Sequence, residues 1–318
     1  MKIVVLERNT VGLDVSVEGL SKFGELIIYP GTKPEEVASR VKDADIIIAN
    51  KSPLNEETLK DAKNVKFIGE FATGYDNIDT EYCKKRGIRV SNVVNYSTDS
   101  VAQHTFALLF YVLEKLRHYD EYVKNGDYGA QSGFSNFDKP FTELAGKTWG
   151  IIGMGNIGRK VAAIASAFGC RVIFHSVTGR SKVTEYEQVS FDKLLEESDF
   201  LSLHCPLSDI TRGIINYDAL KKMKKTAILI NVARGPVVSD ADLKRALDED
   251  LIAGAGLDVT GTEPMKESNP LSKFKDSDRL IITPHLAWAS SEARVRVVEE
   301  NIKNIEAFLN GEERNVIV

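Results

Sequence analysis

The chain has 318 residues, of which 43% are hydrophobic and 27% charged, with a formal net charge of −5. That length exceeds one ordinary core and predicts two domains, and the composition is that of a folded globular chain rather than a disordered one. The small, mixed charge carries no basic block, which excludes nucleic acid and a membrane surface as partners. No apolar run reaches membrane-spanning length. The start, "MKIVVLERNT", holds too short an apolar stretch for a signal peptide and reads as a first strand. Cys83, Cys170 and Cys205 are scattered, with neither a pairing pattern nor zinc-ligand spacing. We therefore expect no metal and a reducing, cytoplasmic compartment.

In chain order, "KIVVLE", "ELIIYP", "DADIIIAN", "VKFIGE" and "IRVSNV" are short Ile/Val-rich runs separated by polar, helix-like stretches. This alternation predicts βα units around a parallel sheet. From Thr98 to about Asn125 the pattern becomes one long helix, with Leu108, Leu109, Val112, Leu113 and Leu116 as its stripe. Phe110 and Tyr111 lie off that stripe, so the helix is apolar on more than one side. Two readings stay open: burial between two domains, or a contact between two copies of the chain.

From Gly146 the βα rhythm returns. "KTWGIIG", "CRVIFH", "FLSLHCP", "TAILINVA", "LIAGAGLDV" and "RLIITPH" are six strand candidates. A last helix follows, capped by Ser290 or Ser291, with Val298, Ile302, Ile305 and Leu309 as its stripe and Gly311 beyond its end.

The segment Gly153-Met154-Gly155-Asn156-Ile157-Gly158 is a G-x-G-x-x-G in context, after an apolar strand and opening a helix. Gly153 permits a tight turn, Gly155 a close approach of backbone to a pyrophosphate, and Gly158 close packing of helix on strand. The expected helix stripe is Ile157, Val161, Ile164 and Phe168. The following strand ends in His175-Ser176, where an acid would bond the adenosine ribose of NAD. With Ser176 there, and Thr178, Arg180 and Ser181 following, the loop admits a 2′-phosphate and the reading inclines to NADP(H) over NAD(H). The alternative is that Ser176 bonds a ribose hydroxyl itself and Arg180 is a solvated charge.

Three polar residues sit at strand ends, where open α/β sheets bind ligands. Arg234 follows "TAILINVA" with a planar guanidinium fork. His285 follows "RLIIT" and can give a proton to a carbonyl oxygen or take it back. Glu263 lies beyond "LIAGAGLDV".

"ATGYDNID" (72–79), "VAQHT" (101–105), the glycine loop, "NVARGPVV" (231–238), "AGLDVTGTEP" (255–264) and "TPHLAWAS" (283–290) occur in this order. With them the chain resembles the D-isomer-specific 2-hydroxyacid dehydrogenases over almost its whole length. The "HLAWAS" ending is most similar to the hydroxypyruvate reductase and glycerate dehydrogenase branch. The resemblance implies a discontinuous flavodoxin-like substrate-binding domain (residues 1–100 and 287–318) and a dinucleotide-binding Rossmann domain (101–286), with hinge closure over the substrate. It implies Arg234, Glu263 and His285 as the catalytic trio and reversible reduction of a small 2-keto acid, hydroxypyruvate or glyoxylate in the first place. Cofactor contacts are then implied for Thr105, Gly153, Gly155, Asn156, Ile157, Gly158, Ser176, Arg180, His204, Cys205, Pro206, Val232, Ala233, Arg234, Asp258 and His285. Thr73 and Gly74 would offer backbone N–H groups to the substrate carboxylate, beside Arg234 and His285. Trp288 would either wall the substrate pocket or staple the last helix. His104 is expected to pack or bond near a subunit interface, and a homodimer through the 98–125 helix region is expected. Two rivals are a dinucleotide-sensing co-repressor on the same fold and a formate-type dehydrogenase. The latter would want Gln where Glu263 stands.

Overall fold

The computed structural model describes every residue from Met1 to Val318. The chain divides into two compact units, Met1–Ser97 with Ala289–Val318, and Thr98–Trp288.

The first unit holds a parallel sheet of β1 (Lys2–Val5), β2 (Glu25–Ile28), β3 (Ile46–Ala49), β4 (Phe67–Glu70) and β5 (Arg89–Ser91), in the order β2-β1-β3-β4-β5. This is the flavodoxin-like order, and each strand coincides with a predicted apolar run. β3 and β4 are buried throughout, as strands covered on both faces must be. The helix Ser291–Leu309 returns to this unit. The Ser290 hydroxyl accepts from Ala293 N and so caps it, and Val297, Val298 and Ile305 are buried. Its inner face also carries Asn301, which donates to the Glu70 carbonyl at 2.9 Å, and Asn304, which donates to the Asn92 carbonyl at 2.9 Å.

The second unit holds β6 (Thr148–Ile152), β7 (Arg171–His175), β8 (Glu187–Gln188), β9 (Phe200–Leu203), β10 (Ile228–Asn231), β11 (Gly254–Leu257) and β12 (Leu280–Ile282), in the order β12-β11-β10-β9-β6-β7-β8. The order reverses between β6 and β9, which creates the switch point at which such sheets bind dinucleotides. Six of these strands match the predicted runs. β8 does not: it is a two-residue, exposed, polar edge pairing with Ile173 and Phe174, so no apolar pattern announces it.

The single helix predicted from Thr98 to Asn125 is two helices, Thr98–Leu113 and Leu116–Lys124. Lys115 adopts a left-handed backbone (φ 55°), and Leu116, expected on the buried stripe, is exposed. The two-sided apolarity has a local cause. Leu108, Leu109 and Val112 enter the core of this unit, and Phe110 packs against Phe106 and Phe168 of the same unit. The helix comes so near β11 that a Cβ on Gly254 would lie 2.7 Å from Val112 and one on Gly256 2.8 Å from Leu108. That approach explains the two glycines inside an otherwise apolar strand. The helix after the glycine loop runs Asn156–Ala167, and its inner face is Gly158, Val161, Ala162 and Ala165. Phe168, expected on that stripe, is half-exposed instead, because the smaller residues let the helix lie close to the sheet.

One acid is buried without adequate partners. Glu70 at the end of β4 is fully buried, receives only a 3.4 Å contact from Asn77 Nδ2, and has no partner for Oε1. Burial pushes its carboxyl up to about 8. The folded state therefore holds this proton while the unfolded chain releases it, so stability falls as pH rises from about 4.5 to about 8. Glu70→Gln should remove that loss. We expect its melting temperature to exceed the wild type's by about 5 °C at pH 8 and to converge with it near pH 4.5. A pH-independent difference between the two melting curves would refute the assignment.

Candidate active site

The glycine loop follows β6 at the switch point. Gly153 has φ +94°, and a Cβ there would lie 2.7 Å from the His204 carbonyl, so the turn packs directly on the end of β9. Around the Cβ position of Gly155 there is open space, and no side chain caps the helix that starts at Asn156. A Cβ on Gly158 would collide with the Gly153 carbonyl. An uncapped helix N-terminus beside an unobstructed glycine is a fit for a pyrophosphate.

Around this loop, the Trp149 indole donates to Ser202 Oγ (2.8 Å), which lies 3.0 Å from His204 Nε2. The other ring nitrogen of His204, Nδ1, is buried without a partner. Burial pulls His204 down to about 3, so the ring is neutral. Burial likewise raises the neighbouring Cys205 thiol to about 11, leaving it inert. Pro206 is exposed, whereas Val232 and Ala233 are nearly buried. Thr105 is fully buried and spends its hydroxyl on Val101 O (2.8 Å). After β7, residues 176–181 form a compact turn in which Ser181 N donates to Ser176 Oγ (3.3 Å) and Gly179 N to Ser176 O (3.0 Å). Arg180 is exposed at its tip.

Arg234, Glu263 and His285 follow β10, β11 and β12, three strands adjacent in the sheet. Buried Asn231 shapes the first loop, donating to Arg234 O (3.0 Å) and accepting from Ala233 N (3.1 Å). Gly235 lies against the Thr260 backbone so closely that no side chain fits between them. This brings the Arg234 turn onto the loop carrying Glu263. Glu263 Oε1 accepts from Thr260 N (3.2 Å), and its Oε2 lies 2.6 Å from His285 Nδ1. A carboxylate at that distance requires hydrogen on Nδ1, which leaves Nε2 as the atom available to a substrate. His285 itself has a left-handed backbone (φ 54°), an uncommon conformation for a residue with a side chain and one concentrated at functional sites.

Asp258 holds this conformation, a role that sequence reasoning missed. Its carboxylate, 2% exposed, accepts from Thr283 Oγ1 (2.6 Å), Leu286 N (2.9 Å) and Ala287 N (2.8 Å), while its carbonyl accepts from His285 N (2.8 Å). His104, expected to pack or bond near a subunit interface, has its Nε2 3.0 Å from Thr283 Oγ1, within this network. The only signals were "H" inside "VAQHT" and "D" inside "GLDV", neither of which names its partner. Trp288 packs against the apolar core of the second unit.

In the first unit, the loop after β4 carries Thr73 and Gly74. Thr73 Oγ1 donates to Val93 O (2.7 Å) and Asn92 Nδ2 to Thr73 O (2.7 Å), which fixes the loop and leaves the Thr73 and Gly74 N–H groups without protein partners. Glu7 fixes the turn after β3, accepting from Asn50 N (2.8 Å), Lys51 N (3.1 Å) and Ser52 Oγ (2.8 Å).

A parallel sheet with a glycine turn at its switch point, and a guanidinium and a histidine–carboxylate pair on adjacent strand ends, defines an oxidoreductase that uses a nicotinamide dinucleotide on a small carbonyl or alcohol. Residues 106–287 match the family model described as D-isomer specific 2-hydroxyacid dehydrogenase, NAD binding domain. The chain is 40% identical to a hydroxypyruvate reductase from Blautia hydrogenotrophica, covering 100% of this chain and 99% of that one. It is 38% identical to a glycerate dehydrogenase from Methylorubrum extorquens, covering 99% and 98%. Among solved structures, an acyclic imino acid reductase in complex with NADPH and D-Arg superposes with a TM-score of 0.90 at 33% identity, covering 100% of both chains. The chain belongs to the D-isomer-specific 2-hydroxyacid dehydrogenase family. It is an oxidoreductase that transfers hydride between a nicotinamide cofactor and a small 2-hydroxy or 2-keto acid.

The loop geometry makes Gly158 a direct test of the cofactor site. In Gly158→Ala the new methyl group must displace the Gly153 turn. We expect reduced-cofactor binding, followed by fluorescence titration, to weaken about ten-fold or more while the circular dichroism spectrum is retained. Unchanged affinity would remove this turn from the cofactor site.

Proposed function

We propose that the chain reduces hydroxypyruvate or glyoxylate with NADPH, with His285 as the proton donor. The observation that carries this reading is the 2.6 Å contact between His285 Nδ1 and Glu263, which leaves Nε2 facing away from its carboxylate partner. The glycine loop at Gly153–Gly158 would hold the dinucleotide, whose nicotinamide would supply the hydride. Imidazolium Nε2 protonates the oxygen that gains charge, while Nδ1–H stays with Glu263; in the oxidative direction neutral Nε2 takes the proton back. Arg234 holds the carboxylate and keto oxygen through its planar fork. Asp258 keeps the His285 loop in place. Trp288 limits the size of the substrate side chain.

The relatives named hydroxypyruvate reductase and glycerate dehydrogenase support the choice of substrate. NADPH is supported by Ser176 in place of an acid, by the exposed Arg180 beside it, and by the NADPH-bound relative. Three free, buried cysteines suit a reducing cytoplasm. Leu116, Val123, Phe134, Phe137 and Phe141 are exposed between 47% and 91%, an apolar surface that a second copy of the chain would cover as a homodimer. In that case Phe134→Ser with Phe137→Ser should halve the native mass measured by light scattering; a wild type already of monomer mass would overturn this part.

The decisive experiment is initial rates for hydroxypyruvate, glyoxylate, pyruvate and a bulkier keto acid, each with NADH and NADPH. We expect the first two, with NADPH, to give the highest kcat/KM. His285→Ala should lower kcat by about 10²- to 10⁴-fold while retaining cofactor affinity. Absence of turnover with every pair would favour the co-repressor reading, and loss of cofactor affinity in His285→Ala would make that residue structural.

A further inference from the structure

We propose that His104 is a positioning residue for the reaction: it fixes the direction of the Thr283 hydroxyl and, through Asp258, the loop that presents His285. This rests on the reading of His285 as the proton donor.

The argument is one of counting hydrogens. Thr283 has a single hydroxyl proton and three oxygen or nitrogen neighbours: Asp258 Oδ1 at 2.6 Å, His104 Nε2 at 3.0 Å and the Leu257 carbonyl at 3.4 Å. A carboxylate oxygen at 2.6 Å can only accept, so the hydroxyl proton belongs to Asp258. Thr283 must then accept from His104, which places a hydrogen on Nε2. If His104 carried its hydrogen on Nδ1 alone, Nε2 would draw the hydroxyl proton away, and two oxygens would face each other at 2.6 Å without a hydrogen between them. His104 therefore closes a directional chain, from imidazole N–H to hydroxyl to carboxylate. Burial keeps His104 below its ordinary titration range, against the opposing charge of Asp258, so the ring is neutral.

What the chain governs is local. The Asp258 oxygen that takes the Thr283 proton also accepts from Leu286 N, and the other accepts from Ala287 N. Together they clamp the residues on both sides of His285, whose left-handed backbone needs support from its surroundings. The same helix holds the loop a second time, through Ser100 Oγ donating to the Ala287 carbonyl at 2.6 Å. Without the His104 donor, the Thr283 hydroxyl can turn toward Leu257 O, and one arm of the clamp is lost.

The reach of the side chain supplies the test. A glutamine amide places its N–H near the position of histidine Nε2, whereas an asparagine amide stops near Nδ1. We expect His104→Gln to keep kcat within about two-fold of wild type, while His104→Leu and His104→Asn each lower it about ten-fold with unchanged affinity for reduced cofactor. Thr283→Val should lose about the same factor, and His104→Leu combined with Thr283→Val should lose no more than either alone. A His104→Gln enzyme as slow as His104→Asn, or losses that multiply in the double variant, would overturn the proposal. If His104→Leu does not fold, the Gln/Asn pair decides it alone. His285→Ala, assayed in parallel, separates the two ideas: turnover surviving there defeats the proton-donor reading, whatever the His104 variants show.

Discussion

A buried carboxylate that must find its donors inside the protein shapes this site. Asp258 sits just past β11, 2% exposed, and an anion removed from water at that depth is tolerated only when its oxygens are hydrogen-bonded. No lysine or arginine forms an ion pair with it within 4.0 Å; its donors are the Thr283 hydroxyl and two consecutive backbone N–H groups. Those amides can point at one carboxylate only if the chain turns sharply after Pro284, and His285 is the residue that takes the left-handed conformation at that turn. The solvation demand of one acid and the direction of the histidine are thus the same constraint seen from two ends.

Sheet order does the rest of the assembly. Because β10, β11 and β12 are neighbours, the loops leaving their carboxyl ends are neighbours too, separated by about 4.8 Å steps. Arg234, Glu263 and His285 are 51 positions apart from first to last in the chain, yet parallel pairing makes their strand ends adjacent. Side-chain size then sets the final approach. The absence of a Cβ at Gly235 lets the Arg234 turn rest on the Thr260 backbone, and Thr260 N orients Glu263.

The features legible in the amino-acid sequence were those carried by periodic or local signals. Eleven apolar runs became eleven strands; those buried on both faces, such as β3 and β4, have a continuous apolar composition wherever they lie. β8 has no such composition; two polar residues pair at an edge only because β7 is there to receive them. The break at Lys115 was hidden because the apolar pattern runs across it, and only the exposure of Leu116 shows that the stripe has turned away. The trio was legible as residue types at strand ends. Its support was not: the partners of Asp258 come from 25 to 29 positions away, and His104 meets Thr283 across 179 positions. Such pairings are set by tertiary packing, and no spacing rule encodes them.

Two carboxylates one loop apart show how environment divides labour between identical functional groups. Asp258 and Glu263 both serve the His285 loop, but Asp258 is sealed while the Glu263 side chain is 33% exposed. The sealed acid has its oxygens committed to amides and a hydroxyl, so it fixes where the loop lies and has little freedom to follow a moving proton. The half-exposed acid has one oxygen on Thr260 N and the other on the imidazole, so it can answer a change of charge on the ring. Exchanging the two environments would defeat both roles: a solvated clamp competes with water for its amides, and a sealed partner for the imidazole raises the cost of every change in the charge of the pair. The division follows from where the two residues leave the sheet. Asp258 comes immediately after β11, beneath the following loops, and Glu263 lies five residues further, beyond the TGT turn that brings it back to the surface.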